Sequence, residues 1–171
     1  RAAAYQAVSY LIQQGHRKIA VLGGPATSYP SMMRRQGAQQ AMEDAGIRFE
    51  DKLYGLSNYD FESAYHAMNG LLARRAEFTA LFAMSDVIAF GAIRALVSAG
   101  LRVPEDVSVI GFDGITMSRY CVPVMTTIVQ PSEQIALQSI ELLVRQIEHG
   151  TPAQTVTLQP ELQQGESVRA I

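Results

Sequence analysis

A carboxylate just beyond a buried strand is the clearest candidate for chemistry in this sequence. The stretch 103–113 reads Val-Pro-Glu-Asp-Val-Ser-Val-Ile-Gly-Phe-Asp, in which Pro104 fixes a turn, residues 107–110 form a short apolar strand, and Asp113 follows it. Ligands of open parallel α/β sheets bind in the crevice outside the carboxyl ends of the strands. The position therefore predicts that Asp113 contacts a ligand. The alternative is that it caps the segment that follows.

An arginine and two aromatic residues fall close to other predicted strand ends. Arg34 lies in the first turn of a predicted helix over 31–45, where a positive charge opposes the helix dipole. It is either a solvated surface residue or a fork of donors aimed at ligand hydroxyl groups. Tyr59 and Phe61 mark the start of the next helix and are placed to stack on a flat or sugar-like ligand. For Phe61, core packing is the alternative.

Composition excludes several classes of function for these residues. The chain of 171 residues is 48% hydrophobic and 18% charged, which is typical of a folded globular protein. Its net charge of −2 provides no basic face for nucleic acid, and no apolar run is long enough for a membrane span. The single cysteine, Cys121, excludes an intramolecular disulfide, and the three histidines are scattered. We therefore expect no enzymatic activity, no metal site and no cofactor.

The apolar periodicity predicts alternating helices and strands. Helices are predicted over 2–14, 31–45, 61–73, 87–99 and 132–149, and strands over 19–22, 53–56, 79–83, 107–110 and 155–158, with an irregular segment over 114–127. Ser85 or Asp86 is expected to cap the fourth helix. This order predicts right-handed βαβ units and a doubly wound parallel sheet. Because the chain opens directly in a helical pattern, we expect it to be a piece of a longer protein.

Several motifs together resemble signatures of the lactose/galactose repressor family, and they follow the family's order over nearly the whole chain. They are Gly15-His16-Arg17-Lys18-Ile19-Ala20 with Gly23-Gly24, Arg34-Arg35-Gln36-Gly37, Ser85-Asp86-Val87-Ile88-Ala89-Phe90-Gly91, the stretch 103–113, and Pro123-Val124-Met125-Thr126-Thr127-Ile128-Val129-Gln130-Pro131. The resemblance implies a fold like that of periplasmic sugar-binding proteins, in which two α/β lobes enclose the ligand. Residues 1–15 would then be a helix of the first lobe, and 16–127 the second lobe. Residues 128–150 would be a crossover and a helix returning to the first lobe, and 151–171 a C-terminal strand and tail.

The resemblance also implies roles for particular residues. Ligand-binding positions in the cleft would be Arg34, Phe61, Ser85, Asp86, Asp113 and Gln130. Among them Arg34 would hold ligand hydroxyl groups, Asp113 would lie at the base of the cleft, and Phe61 would cover the sugar face. Phe90 lies on the helix that the family uses for dimer contacts. Gly114, Met125 and Gly165 depart from the family pattern, where a second aspartate, a leucine and an arginine are usual.

These observations lead to a functional hypothesis. The chain would be the effector-binding part of a cytoplasmic, homodimeric repressor that senses a sugar or sugar derivative, with a purine or another small metabolite left open. Effector binding would change DNA affinity by a population shift. DNA would be bound only through an N-terminal helix-turn-helix that lies outside this chain, and no membrane would be involved. The alternative is a periplasmic sugar-binding protein of a transport system.

Overall fold

Five parallel strands and one antiparallel strand form a single sheet in the computed structural model, which describes residues 1–150 and 152–171. The strands are β1 (Ile19–Gly23), β2 (Tyr54–Leu56), β3 (Ala80–Ala83), β4 (Ser108–Asp113), β5 (Thr126–Val129) and β6 (Glu161–Gln163), in the spatial order β2-β1-β3-β4-β5-β6. The helices are α1 (Ala2–Gln13), α2 (Tyr29–Asp44), α3 (Phe61–Ala73), α4 (Asp86–Ser98) and α5 (Ser132–His149), with short 3-10 helices at Asp51–Leu53 and Thr116–Arg119. The predicted doubly wound α/β sheet is confirmed. Thr151, the first residue of the expected C-terminal segment, lies outside the described residues.

The connections on either side of β1 create a crevice at the carboxyl edge of the sheet. The chain runs outward from β1 to β2 and then crosses back to β3, so the connections leave β1 and β3 in opposite directions. Every residue of these two strands is buried, because helices cover both faces of the sheet. One face carries α1 with α2, and the other carries α3 with α4.

Helix α1 belongs to this sheet, which corrects its assignment to a first lobe. Its apolar stripe of Ala4, Ala7, Val8 and Leu11 is completely buried, and the helix packs against α2 and the sheet. Small residues allow this close approach: a Cβ added to Gly37 of α2 would lie 2.2 Å from the carbonyl oxygen of Arg1. Residues 1–15 therefore form one core with residues 16–127.

The last third of the chain departs from the predicted elements in three respects. The apolar periodicity that predicts α5 implies a buried apolar face, yet the helix has no buried residue. Its exposed large side chains are Ile135, Leu137, Ile140, Leu143, Val144 and Ile147. Residues 155–158 form no strand, since no other described segment pairs with them, and the strand lies later, at β6. The irregular segment expected over 114–127 ends in the first residues of β5, whose β-branched residues continue the parallel sheet.

The C-terminal tail is fastened to the strands it crosses. The Ser167 hydroxyl, completely buried, donates to the Val109 carbonyl at 2.6 Å and accepts from the Thr126 backbone N–H at 2.8 Å. Gly165 stands where an arginine is usual in the family that the sequence resembles. A Cβ there would lie 2.5 Å from the Val124 carbonyl oxygen. The tail therefore runs too close to the preceding loop at this point for a side chain.

At the opposite, amino edge of the sheet, His16 joins three segments. Its side chain is buried, with Nδ1 at 2.9 Å from the Thr79 hydroxyl and Nε2 at 3.1 Å from the Arg169 carbonyl oxygen. A carbonyl only accepts, so Nε2–H donates to Arg169 and Nδ1 accepts from Thr79. Burial lowers the pKa of His16, which favours this neutral form.

The lowered pKa of His16 makes stability depend on pH. The unfolded chain, with a histidine pKa near 6.5, binds a proton that the folded chain excludes. The free energy of unfolding should therefore fall as the pH drops from about 6.5 through the folded pKa. Urea unfolding at several pH values should show this loss in the parent and not in His16→Gln. The variant His66→Gln, at an exposed site, should keep it; an equal pH dependence in all three proteins would contradict the role of His16.

Two glycines offer a matched test of how closely α3 and α4 pack. A Cβ on Gly91 would lie 2.5 Å from the Phe61 carbonyl oxygen and 2.7 Å from the Ala64 Cβ, whereas one on Gly70 meets nothing within 4 Å. Gly91→Ala should lower the free energy of unfolding by about 1–3 kcal/mol through overpacking. Gly70→Ala should raise it by about 0.5–1 kcal/mol, because alanine favours the helical backbone. Chemical denaturation measures both, and effects of the same sign would contradict the packing described.

Candidate functional site

An arginine, an aspartate and a glutamine meet at one oxygen atom at the carboxyl edge of the sheet. Asp113 Oδ1 accepts from Arg34 Nη2 at 3.2 Å and from Gln130 Nε2 at 2.6 Å. Arg34 Nη1 also donates to the carbonyl oxygen of Met84, at the end of β3. The three predicted positions Arg34, Asp113 and Gln130 are thus brought together from α2, β4 and the segment after β5.

The structure excludes one of the two interpretations of Arg34, that of a solvated surface residue. Helix α2 begins at Tyr29, two residues earlier than predicted, which places Arg34 in its second turn. Its side chain is 14% exposed, and its guanidinium carbon lies 3.9 Å from the ring centroid of Phe112. A cation over an aromatic face is electrostatically attracted to it. Arg34 is therefore a fixed element of the cleft and not a solvated surface residue.

Asp113 keeps one carboxylate oxygen available. It is the last residue of β4, with φ at 113°, and its side chain is 27% exposed. Among the described residues, all hydrogen bonds to its side chain go to Oδ1, and none comes from the segment that follows it. The capping alternative is therefore wrong. Burial raises the pKa of Asp113, and the charge of Arg34 and the amide of Gln130 oppose this rise.

Asp86 and Ser85 are buried and hydrogen-bonded within the protein, and neither lines the cavity beside Arg34. Asp86 is completely buried, and its two oxygens accept from the Thr127 hydroxyl at 2.6 Å and from the Ile115 backbone N–H at 2.8 Å. Burial raises the pKa of Asp86, although both of these hydrogen bonds favour its ionised form. Ser85 is the N-cap of α4, as expected for one of this pair, since its hydroxyl accepts from the Ile88 N–H at 3.1 Å. The ligand contacts expected for both residues stay predictions, although both Asp86 oxygens already accept hydrogen bonds from within the protein.

The two aromatic candidates lie in different surroundings. Phe61 is 49% exposed, so the core-packing alternative is wrong, and its backbone faces Gly91 of α4. The Tyr59 ring lies against Gly24, in the loop after β1. Tyr59 is therefore the aromatic side chain in contact with a loop at the carboxyl edge. The sequence analysis selected both residues, but they lie only two positions apart, and the sequence could not show which of them packs against the loop after β1.

A cavity of about 470 Å³ opens beside the Arg34–Asp113 pair. Small-molecule sites typically enclose a few hundred cubic ångströms. Its lining includes Tyr29, Arg34, Phe112, Gln130, Ile135 and Leu158. Within the described residues, no group of three or more histidine, cysteine or acidic side chains is placed to hold a metal ion. No described helix is both long and apolar enough to cross a membrane.

Glycine at position 111 is a sequence signal for the buried carboxylate that the motif analysis did not use. A Cβ there would lie 2.2 Å from Asp86 Oδ1, so this strand position must lack a side chain for Asp86 to reach Thr127. A glycine inside a strand marks a close approach of another group.

The hydrogen bond between Thr127 and Asp86 can be tested by one nearly isosteric change. Thr127→Val removes the donor and leaves a buried carboxylate oxygen without its partner, which should lower the free energy of unfolding by about 1–3 kcal/mol. Thr116→Val, at an exposed position, should change it by no more than about 0.5 kcal/mol. Urea titrations of both variants give the comparison. Equal stability of the two would show that the bond contributes nothing measurable.

This chain is similar to a known protein family and to curated proteins over nearly its whole length. The family model described as periplasmic binding protein-like domain matches residues 8–168. The chain is 37% identical over 168 residues to the HTH-type transcriptional repressor PurR of Histophilus somni (strain 129Pt), covering 98% of this chain and 50% of that protein. It is 39% identical over 165 residues to PurR of Photorhabdus laumondii, covering 96% and 48%. The chain thus spans about half the length of the curated relatives it matches.

Among solved structures, this chain is also similar to transcriptional regulators. A sugar-binding transcriptional regulator of the LacI family from Escherichia coli, complexed with phosphate, matches with a TM-score of 0.92 and 34% identity, over 99% of this chain and 61% of that one. The complex of the transcriptional regulator CelR with cellobiose matches with a TM-score of 0.92 and 35% identity, over 96% and 51%. The named relatives are transcriptional repressors and regulators, which confirms the expectation that this domain is not an enzyme. The chain belongs to the periplasmic binding protein-like domain family, in the form that LacI/GalR-type transcriptional regulators carry as their effector-binding domain.

Proposed function

We propose that this chain senses a sugar or sugar derivative in the cleft at the carboxyl edge of its sheet, as part of a LacI-type repressor. One observation carries the proposal: Arg34 and Gln130 line a cavity of about 470 Å³, and both donate to the partly buried carboxylate of Asp113. The CelR complex with cellobiose, a structural relative, supports a carbohydrate as the ligand class.

The chemistry of the pair suits neighbouring hydroxyl groups. A guanidinium carries five N–H donors in a fixed plane, and Arg34 uses two of its nitrogens to hold Met84 and Asp113. Its remaining N–H groups can donate hydrogen bonds to a ligand, and Asp113 Oδ2 can accept one. A polyol offers both functions on adjacent carbons, so it can bond to both side chains at once with charge-assisted hydrogen bonds.

Sensing requires that the ligand favour one arrangement of the whole protein over another. A ligand shifts such an equilibrium only by its difference in affinity for the two states. In the proposed repressor, the cleft residues come from α2, β4 and the segment after β5, and Gln130 and Pro131 lead directly into α5. Contacts at Gln130 would therefore couple ligand binding to the position of α5.

The wider assembly is part of the same proposal. DNA binding would come from an N-terminal helix-turn-helix outside this chain, because these residues carry a net charge of −2 and no excess of basic side chains. Dimerisation would use α4, where Phe90 is partly exposed and Val97 is 52% exposed. The protein would act in the cytoplasm. The repressor relatives favour this interpretation over the alternative, a periplasmic sugar-binding protein of a transport system.

Thermal-shift measurements on the full-length protein test the ligand class and the site together. Cellobiose, glucose, sugar phosphates and nucleobases form the panel. A ligand that binds only the folded state stabilises it by about 2.7 kcal/mol at 100 times its Kd. We expect a sugar to raise the Tm of the parent and to have little effect on Asp113→Asn, which cannot offer the same charged acceptor.

The neighbouring arginine provides the matched control for this experiment. Arg35 pairs with Asp51 and lies over the rings of Phe49 and Tyr54, outside the cavity lining. Arg35→Gln should keep the ligand shift, while Arg34→Gln should lose it. A shift that survives both Arg34→Gln and Asp113→Asn would place the site elsewhere. A shift with nucleobases and with no sugar would replace the proposed ligand class.

A further inference from the structure

The backbone turns out of β4 through two residues with positive φ. Asp113, the last residue of β4, has φ at 113°, and Gly114 has φ at 72°. Residues with side chains rarely adopt a positive φ. A Cβ added to Gly114 would lie 2.7 Å from the Cα of Val129, so only glycine fits at that position. A strained residue persists only where the surrounding structure holds it, so the backbone of Asp113 must be held on both sides.

Two hydrogen bonds hold this backbone. Before the turn, the Gln130 backbone N–H donates to the carbonyl oxygen of Asp113 at 3.0 Å. After the turn, the Ile115 backbone N–H donates to Asp86 Oδ2 at 2.8 Å. Asp86 is completely buried, and its other oxygen accepts from the Thr127 hydroxyl at 2.6 Å, which fixes the direction of the carboxylate. The second bond therefore depends on one side chain, supplied by α4.

The direction of the Asp113 side chain depends on the conformation of its backbone. Oδ1 of Asp113 accepts from Arg34 and Gln130, which both line the cavity. Without an acceptor for the Ile115 N–H, the turn could relax to a negative φ at residue 113. A changed φ turns the Cα–Cβ bond and moves the carboxylate away from both donors.

We propose that Asp86 is a positioning residue of the cleft. By accepting from the Ile115 N–H, it keeps Asp113 in the strained conformation in which its carboxylate meets Arg34 and Gln130. Asp86 would thus influence a ligand through Asp113 and from outside the cavity lining. This inference rests on the proposed ligand-binding function, for which it names a further residue.

Three substitutions separate this role from a general contribution to stability, with affinities measured by isothermal titration calorimetry on the full-length protein. Asp86→Ala removes the acceptor of Ile115 and should weaken cellobiose binding by roughly tenfold or more, as expected for lost hydrogen bonds to a charged group. Asp86→Asn should bind within about twofold of the parent, because its amide can accept from Ile115 and donate to the Thr127 hydroxyl. Thr127→Val should lower the Tm and keep the affinity, since the bond to Ile115 remains.

A double variant keeps the experiment decisive if Asp86→Ala does not fold. The single change also leaves the buried Thr127 hydroxyl without its acceptor, and removing both partners of a buried bond costs less than removing one. Asp86→Ala with Thr127→Val should therefore have a higher Tm than Asp86→Ala and the same weak binding. Affinity that recovers with the Tm, or a loss in Asp86→Asn as large as that in Asp86→Ala, would overturn the inference.

A measurement without ligand separates this inference from the proposed function. Gln130→Ala removes the amide that donates to Asp113 Oδ1, and it should lower the Tm of the ligand-free full-length protein. In the double variant the carboxylate has already moved, so this loss of Tm should be reduced to about half or less. Such coupling supports the positioning role even where cellobiose does not bind and the proposed ligand class fails. Equal losses of Tm in the two backgrounds would contradict it.

Discussion

The carboxylate of Asp113 is the constraint on which the cleft depends. A carboxylate that is largely withdrawn from water is costly unless opposite charge and hydrogen bonds compensate it. Here one oxygen receives Arg34 and Gln130 together, and Arg34 is in turn fixed by the Met84 carbonyl and the Phe112 ring. Removing any one of these groups would leave a remaining group without the charge, hydrogen bond or ring contact that now compensates its burial. The same interaction that positions the binding groups therefore also joins the segments that follow β1, β3, β4 and β5.

The sequence predicted the elements of the sheet well because their patterns are local. The apolar runs of β1 and β3 and the glycines that end α1, α2 and α4 depend on burial and backbone conformation within a few residues. Placement was harder. The stripe of α1 fits any apolar surface, and only the close approach of α2 at Gly37 shows that it packs on this sheet. The stripe on α5 predicted a buried face, but in the described residues that face lies exposed.

The residue types of the candidate site could be predicted from the sequence, but the hydrogen-bond partners of their side chains could not. Residue type and strand-end position were enough to select Arg34 and Asp113, because the carboxyl ends of parallel strands converge at one edge. They could not separate Asp113, whose second oxygen stays available, from Asp86, whose oxygens are both used. Asp113 ends a buried strand and Asp86 follows one, and the difference arises from partners distant in the chain, such as Thr127 and Ile115. Gly111 carried the missing information, since its lack of a side chain leaves room for the Asp86 carboxylate.

The two edges of the sheet differ in how firmly they are held, and this difference suits a sensor. At the amino edge His16 joins β1, β3 and the tail, and the Ser167 hydroxyl fastens the tail to backbone groups of β4 and β5. At the carboxyl edge the ties are side-chain interactions among Arg34, Asp113 and Gln130, which a polar ligand can replace with bonds of equal kind. In the proposed repressor, a ligand that bonds to Asp113 would compete with Gln130, the residue that leads out of β5 toward α5. The proposed coupling between ligand binding and the position of α5 therefore needs no deformation of the sheet. It needs only that Asp113 exchange one hydrogen-bond partner for another.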